Sequence, residues 1–311
     1  MRMLFLPGAA WACALAGAAV LEIMLWKSLQ RQGKWQARTA WTLLLPLALG
    51  IGLGRAGFEI LQVLEDYSAF QWTFRWCYTA GMAGLSLGIW ACARLCGAQT
   101  GRTLDETAAA LCLAMAAARG AQRWLGETGM GPILDAPGFW AMMNDWDEPV
   151  LAVWMIETGI CLLAAAAAAW LARRKGRRPG SAFAGATCLM MALQILAEQF
   201  RSGAYLRFMM MRLEQILYLI WLLCAMLWAE KALARKGRGL RNWGGAAALL
   251  LMAGGIAAAQ FMLDGKLLPE WPKAVGWTLY GLMIAGMAAL CLRAALRKND
   301  GLRTGKETRQ K

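Results

Sequence analysis

Residues 119–127 read RGAQRWLGE and follow directly on the apolar run LCLAMAAA. Arg119, Arg123 and Glu127 are four apart, so on a continuing helix they share one face. The same placement recurs along the chain: Arg55 with Glu59, the lone Glu157, and Glu198 with Arg201 each interrupt a stretch otherwise fit for lipid. An ionisable side chain in hydrocarbon is costly unless paired or wetted, which makes each of these a functional candidate by default. Guanidinium forks match phosphate oxygens, so arginines gathered at one bilayer depth suit an anionic lipid headgroup. The plainer account is a set of ion pairs that ties helices together, and the residue types alone leave both accounts standing.

The elements that carry these residues are apolar runs. The chain has 311 residues, 59% of them hydrophobic and 17% charged, a balance that points to a membrane protein. Its seventeen tryptophans fit that class, because indole rings favour the membrane–water boundary. Apolar windows predict nine helices, at about 8–26, 40–63, 73–95, 105–127, 149–171, 182–203, 209–229, 243–263 and 274–295. The first reads as an uncleaved span, since its apolar stretch runs on to Trp26 before the basic loop KSLQRQGKWQAR.

Charge in the connections sets the expected orientation. Loop 27–39 carries four Lys/Arg, loops 172–181 and 230–242 five each, and the tail from Arg293 seven. Loop 64–72 carries none, and loop 128–148 has only acidic residues. The basic loops and the C-terminus are therefore expected in the cytoplasm, with the N-terminus outside. Arg201, Arg207 and Arg212 break the pattern on the outer side, which suggests a local task for them. With this topology, Arg55, Glu59, Arg119, Arg123, Glu127, Glu157, Glu198 and Arg201 all fall toward the outer leaflet, as a polar cavity open on that side requires. The net charge of +14 is accounted for by the basic loops, so nucleic-acid binding is not needed to explain it.

Histidine is absent, which removes histidine general-base catalysis and most zinc sites. The nine cysteines lie in or at the ends of apolar runs with no CxxC pair, as small packing residues do. No metal or cofactor is implied.

The order of motifs resembles the prolipoprotein diacylglyceryl transferases of bacterial inner membranes. GIGLGRAGFEIL, with Gly54 and Arg55, is similar to that family's glycine–arginine segment, and TAGMAGLSLGIWACAR (79–94) to its His-Gly-Gly helix. DETAAALCLAMAAARGAQRWLGE (105–127) is similar to its arginine–asparagine signature, LMMALQILAEQFRSG (189–203) to its Tyr-Gly-x-x-Arg helix, and MRLEQIL (211–217) to the start of its last helix. The resemblance covers roughly residues 8–229. It implies an all-α polytopic membrane protein of about nine transmembrane helices, seven resembling the transferase body plus a C-terminal two-helix extension. The corresponding divisions are 1–239 and 240–311.

The family moves a diacylglyceryl group from phosphatidylglycerol to the thiol of a lipobox cysteine in a preprolipoprotein. The resemblance thus implies an anionic-phospholipid site toward the outer leaflet, lined by Arg55, Thr79, Gly81, Arg119, Arg123, Glu157, Gln194, Glu198 and Arg201. It implies Arg119 and Glu127 as catalytic groups if the chain turns over substrate. Thr79 stands at the family's histidine position, Met190 at its tyrosine and Gln194 at an arginine, with Gln122 at an asparagine. Three functions follow as expectations: an active transferase using a carboxylate in place of histidine, a degenerate relative that binds lipid or a lipoprotein signal segment, or a transporter of lipid or small molecules. The absence of a duplicated half weighs against the last.

Overall fold

The computed structural model describes residues 7–65, 77–124, 130–136, 138–144, 146–174, 177–202, 207–208, 211–234, 244–263 and 272–296. Nine long helices appear among the described residues: α1 (Pro7–Arg31), α2 (Leu44–Glu65), α3 (Tyr78–Leu95), α4 (Thr100–Ala121), α5 (Val153–Arg173), α6 (Ser181–Gln199), α7 (Leu213–Ala234), α8 (Gly244–Leu263) and α9 (Lys273–Leu296). Six of them, α1, α2, α5, α6, α8 and α9, are long and apolar enough to cross a membrane. The others fall short for separate reasons. Helix α3 is long enough, but Thr79, Ser86 and Arg94 dilute its apolar character, α4 carries Arg102, Asp105, Glu106 and Arg119, and the apolar part of α7 is confined to Leu213–Trp228.

Helix packing is only partly sequential. Helix α1 lies on α4, α2 on α3, α4 on α5, and α6 on both α5 and α9. The main core runs between α3 and α9 and is filled by small and flexible side chains such as Ala164, Ala186, Cys112, Met82 and Met191. Glycine sets how closely α2 and α3 approach. A Cβ on Gly84 would stand 2.1 Å from the Leu49 carbonyl oxygen, and one on Gly88 2.3 Å from the Pro46 Cα. Backbone-to-backbone contact of this kind is the usual way apolar helices associate in lipid, where no hydrophobic drive exists between them.

Two small sheets depart from the all-helical expectation. Strands β1 (Met130–Ile133), β2 (Ala141–Met143) and β3 (Pro149–Ala152) form an antiparallel sheet in the order β1-β3-β2; β1 and β2 lie in the expected loop 128–148, and β3 replaces the first residues of the helix expected at 149–171. Asn144 makes its turn, its side-chain oxygen accepting from the Trp146 and Glu148 amides at 2.9 and 2.8 Å. Strands β4 (Arg207–Phe208) and β5 (Met211–Arg212) form a hairpin that leads straight into α7. Helices on this side consequently stop earlier than expected. Helix α4 ends at Ala121 rather than 127, and α6 at Gln199 rather than 203.

The opposite end is held by Asp105 of α4. Its carboxylate accepts from the Gly180, Ala182 and Phe183 amides at 2.8, 2.8 and 2.9 Å, satisfying the N-terminus of α6, and pairs with Arg177 at 3.0 Å.

Two substitutions test this packing. Gly84→Leu should lower the melting temperature in detergent far more than Gly52→Leu, since nothing lies within 4 Å of a Cβ at Gly52. Asp105→Ala should cost about 1–3 kcal/mol in reversible unfolding, because it strips partners from buried amides.

Candidate functional site

Four of the charged residues expected at one depth, Arg119, Glu157, Glu198 and Arg201, meet at the end of the bundle opposite Asp105. Arg119 closes α4 and is 2% exposed, and Glu157 of α5 is wholly buried. They pair at 3.2 Å, and the same Glu157 oxygen also receives Arg201, which lies just past α6. Arg201 Nε is 3.4 Å from Glu198, whose other oxygen is 3.3 Å from Arg212. A guanidinium nitrogen of Arg212 also donates to the Arg201 carbonyl.

Tyrosines complete the first ring of contacts. The Arg119 guanidinium lies 3.8 Å from the Tyr78 ring centroid and donates to the Tyr218 hydroxyl at 2.9 Å. Tyr218 in turn donates to Glu214 at 2.8 Å, and Thr79 donates to the same carboxylate oxygen at 3.3 Å. With its amide turned to suit its neighbours, Gln122 donates to the second Glu157 oxygen at 3.2 Å and accepts from the Tyr78 hydroxyl at 2.9 Å. Gln194 reaches the same region, donating weakly to the Glu157 carbonyl at 3.5 Å.

A layer of amides backs this ring. Gln215 accepts from the Arg212 backbone amide at 3.0 Å and donates to the Ile195 carbonyl and the Tyr280 hydroxyl, both at 3.2 Å. Gln260 of α8 donates to Gln215 at 3.2 Å, and Gln199 to Tyr280 of α9 at 3.0 Å. The C-terminal hairpin thus reaches into the same polar network as α4–α7. The sheet covers it from outside: β3 runs directly into α5, and the Ser202 amide donates to the Met130 carbonyl at 2.8 Å.

The cavity expected from sequence is therefore closed where Arg119 stands. Three guanidiniums (Arg119, Arg201, Arg212) face three carboxylates (Glu157, Glu198, Glu214), which makes the set neutral rather than cationic. Arg119 as found is committed to Glu157, Tyr218 and Tyr78, and a phosphate would have to displace a buried contact to reach it.

The other expected site residues are placed as follows. The helical stripe of 119, 123 and 127 does not form, because Gln122–Trp124 winds into a 3-10 turn, and the Arg123 guanidinium sits 5.8 Å from the Trp124 ring centroid. Glu127 lies outside the described residues. Arg55 pairs with Glu59 on α2. Gly81 faces Gly54 across the α2–α3 contact, where a Cβ on Gly54 would be 3.2 Å from its Cα. Sequence reasoning missed Tyr78, Tyr218, Glu214, Gln260 and Tyr280. A signal existed: the chain has only five tyrosines, and three of them are here.

Beside the network lies an apolar groove of about 640 Å3, lined by Trp11, Leu15, Leu47, Ile51, Leu85 and Met115 among others. It lies between α1 and α2, with α3 and α4 as its floor, and Tyr78 forms a wall common to it and the charged cluster. Leu47, Ile51 and Arg55 are spaced by four on α2, so Arg55 stands one turn beyond the lined stretch on the same face.

Comparison with known proteins finds no family model and no curated protein that matches the chain.

The network makes a sharp energetic statement. Glu157→Ala leaves Arg119 and Arg201 buried against one another, and should cost about 3–5 kcal/mol in reversible detergent unfolding. Adding Arg201→Met should recover part of that loss. If the double variant were as unstable as the separate losses combined, the pair would not be coupled.

Proposed function

We propose that this chain is a diacylglyceryl-transferase-like protein of the bacterial inner membrane, with all nine helices embedded and the charged cluster toward the outer leaflet. In this reading it binds an anionic phospholipid, with phosphatidylglycerol as the substrate-class ligand, and does so without turnover. The observation that carries it is the apolar groove between α1 and α2, whose wall Tyr78 also supports Arg119. Its lining suits an acyl chain. Arg55 on the groove face, shared with Glu59, and Arg123 beyond α4 are half-buried guanidiniums that a headgroup phosphate would reach without breaking the buried set of Arg119, Arg201 and Arg212. The motif order described above supports the same reading. The exposed aromatics Phe139, Trp140 and Trp146, which accompany the sheet, suit the outer boundary of a bilayer.

Active transfer to a lipobox thiol is the second reading, and one observation favours it. The chain of contacts Glu214–Tyr218–Arg119 supplies a carboxylate and a hydroxyl next to a guanidinium, although no histidine is present. In such a reaction the thiolate sulfur bonds to the glyceryl carbon as the C–O bond to phosphate breaks. The departing glycerol phosphate needs cationic support, and the thiol proton needs a base.

Both readings are tested on the full-length protein in phosphatidylcholine nanodiscs. Binding of phosphatidylglycerol, followed by native mass spectrometry, should fall about fivefold or more with Arg55→Gln and with Ala18→Trp, which fills the groove from its α1 wall. Binding unchanged in both variants overturns the lipid site. Incubation with phosphatidylglycerol and a lipobox peptide should give no diacylglyceryl-peptide, whereas product that disappears with Arg119→Ala would select the transferase reading instead.

A further inference from the structure

A second crevice, of about 550 Å3, lies between α6, α7 and α9 at the other end of the bundle. Its walls are apolar side chains and thiols, among them Cys188, Met226, Cys291 and Ala295, while Arg178, Ser181 and Trp228 stand around it where α6 begins. Two features of this region are unaccounted for by the fold. Ser181 is 8% exposed and its hydroxyl has no hydrogen-bond partner. Arg178 has no ion-pair partner among the described residues, although the adjacent Arg177 is committed to Asp105.

The backbone of α6 does not explain them. The Gly180, Ala182 and Phe183 amides are taken by Asp105, and the Ser181 amide by the Arg178 carbonyl. The need that remains is for an acceptor that meets a hydroxyl and a guanidinium together. Trp228 fixes the shape of the mouth. Its ring presses on Gly180, whose φ of +89° and lack of a Cβ allow the approach, for a Cβ there would meet the ring at 2.6 Å. The indole itself is half exposed. Two other tryptophans mark this end as a membrane boundary, Trp170 under Arg174 at 4.2 Å and Trp90 under Arg94 at 5.7 Å.

We propose that this crevice holds an acyl chain of an anionic phospholipid of the leaflet opposite the charged cluster, with the lipid phosphate accepting from Arg178 and Ser181. Charge complementarity selects the occupant: five of the ten residues at 172–181 are basic, and a phosphate diester offers the acceptor oxygens that the guanidinium and hydroxyl lack. The apolar walls select a lipid over free phosphate, because inorganic phosphate leaves the more open lining at Ala184, Ala225 and Trp228 uncovered. The site depends on α9, and so on the C-terminal hairpin. It does not rest on the function proposed for the groove.

The test uses the full-length protein in phosphatidylcholine nanodiscs doped with a phosphatidylglycerol that carries a diazirine in its acyl chain. After photolysis, label should map to α6, α7 and α9 around Cys188, Met226 and Cys291. The double variant Arg178→Gln/Ser181→Ala should reduce that label about fivefold or more, while Arg178→Lys retains most of it. Arg55→Gln should leave it unchanged, which separates this site from the α1–α2 groove. Melting of the double variant without phosphatidylglycerol serves as the control for folding. Label absent from these helices, equally strong in the double variant, or equally strong from the phosphatidylcholine analogue would overturn the proposal.

Discussion

The carboxylate of Glu157 is the fixed point of this molecule. It has no contact with solvent, and it is approached by guanidiniums from two directions, Arg119 of α4 and Arg201 beyond α6. A charge in that position is tolerable only if its partners are held as firmly as it is. Much of the surrounding architecture follows from that demand. Tyr78 supports one face of Arg119, Gln122 satisfies the second carboxylate oxygen, and Glu198 with Arg212 holds Arg201 from the far side. Helices α3 to α7 therefore share an anchor that apolar packing alone would not specify, since their contact surfaces are alanine, methionine and cysteine of interchangeable shape.

The two ends of the bundle solve different problems. At the charged end, helices stop short and their last polar residues enter turns, strands and the 3-10 segment, where backbone and side chain bend toward a common point. At the basic end the one carboxylate that is buried among the described residues, Asp105, is spent on the α6 amides and Arg177. Buried polar contacts at the first end are mutual among side chains, whereas those at the second mainly serve the backbone.

Much of this was legible in the sequence, and the limits are instructive. Apolar windows locate nine helices to within several residues at most ends, because the length of a hydrophobic run is a one-dimensional property. The common depth of Arg119, Glu157, Glu198 and Arg201 was also visible, since it follows from helix order and orientation. What failed was the extrapolation of a helix past its end. The four-residue spacing of 119 and 123 implies a face only while the backbone stays α-helical, and it leaves that state after Ala121. Partners supplied by other helices were invisible for a related reason: Tyr218 and Glu214 lie 99 and 95 positions from Arg119 in the chain, and nothing in local spacing connects them. The anomalous outward Arg201 and Arg212 were the better clue, for both turned out to belong to the network. The sheet escaped notice because its strands are only three or four residues long and sit between helices of much stronger pattern.

The order in which the six charges of the cluster occur along the chain bears on how such a protein is made. They run Arg119, Glu157, Glu198, Arg201, Arg212, Glu214, so the running total during synthesis never departs from neutrality by more than one unit. Glu198 meets its counter-charge three residues later and Arg212 two residues later, so α6 and α7 bring self-balanced ends to the bilayer. Arg119 alone has to wait for another helix. On the proposed reading, with all nine helices embedded, α4 has reason to enter the membrane together with α5 as one hairpin, and the acidic, basic-free segment that joins them is the part of the chain that would have to cross.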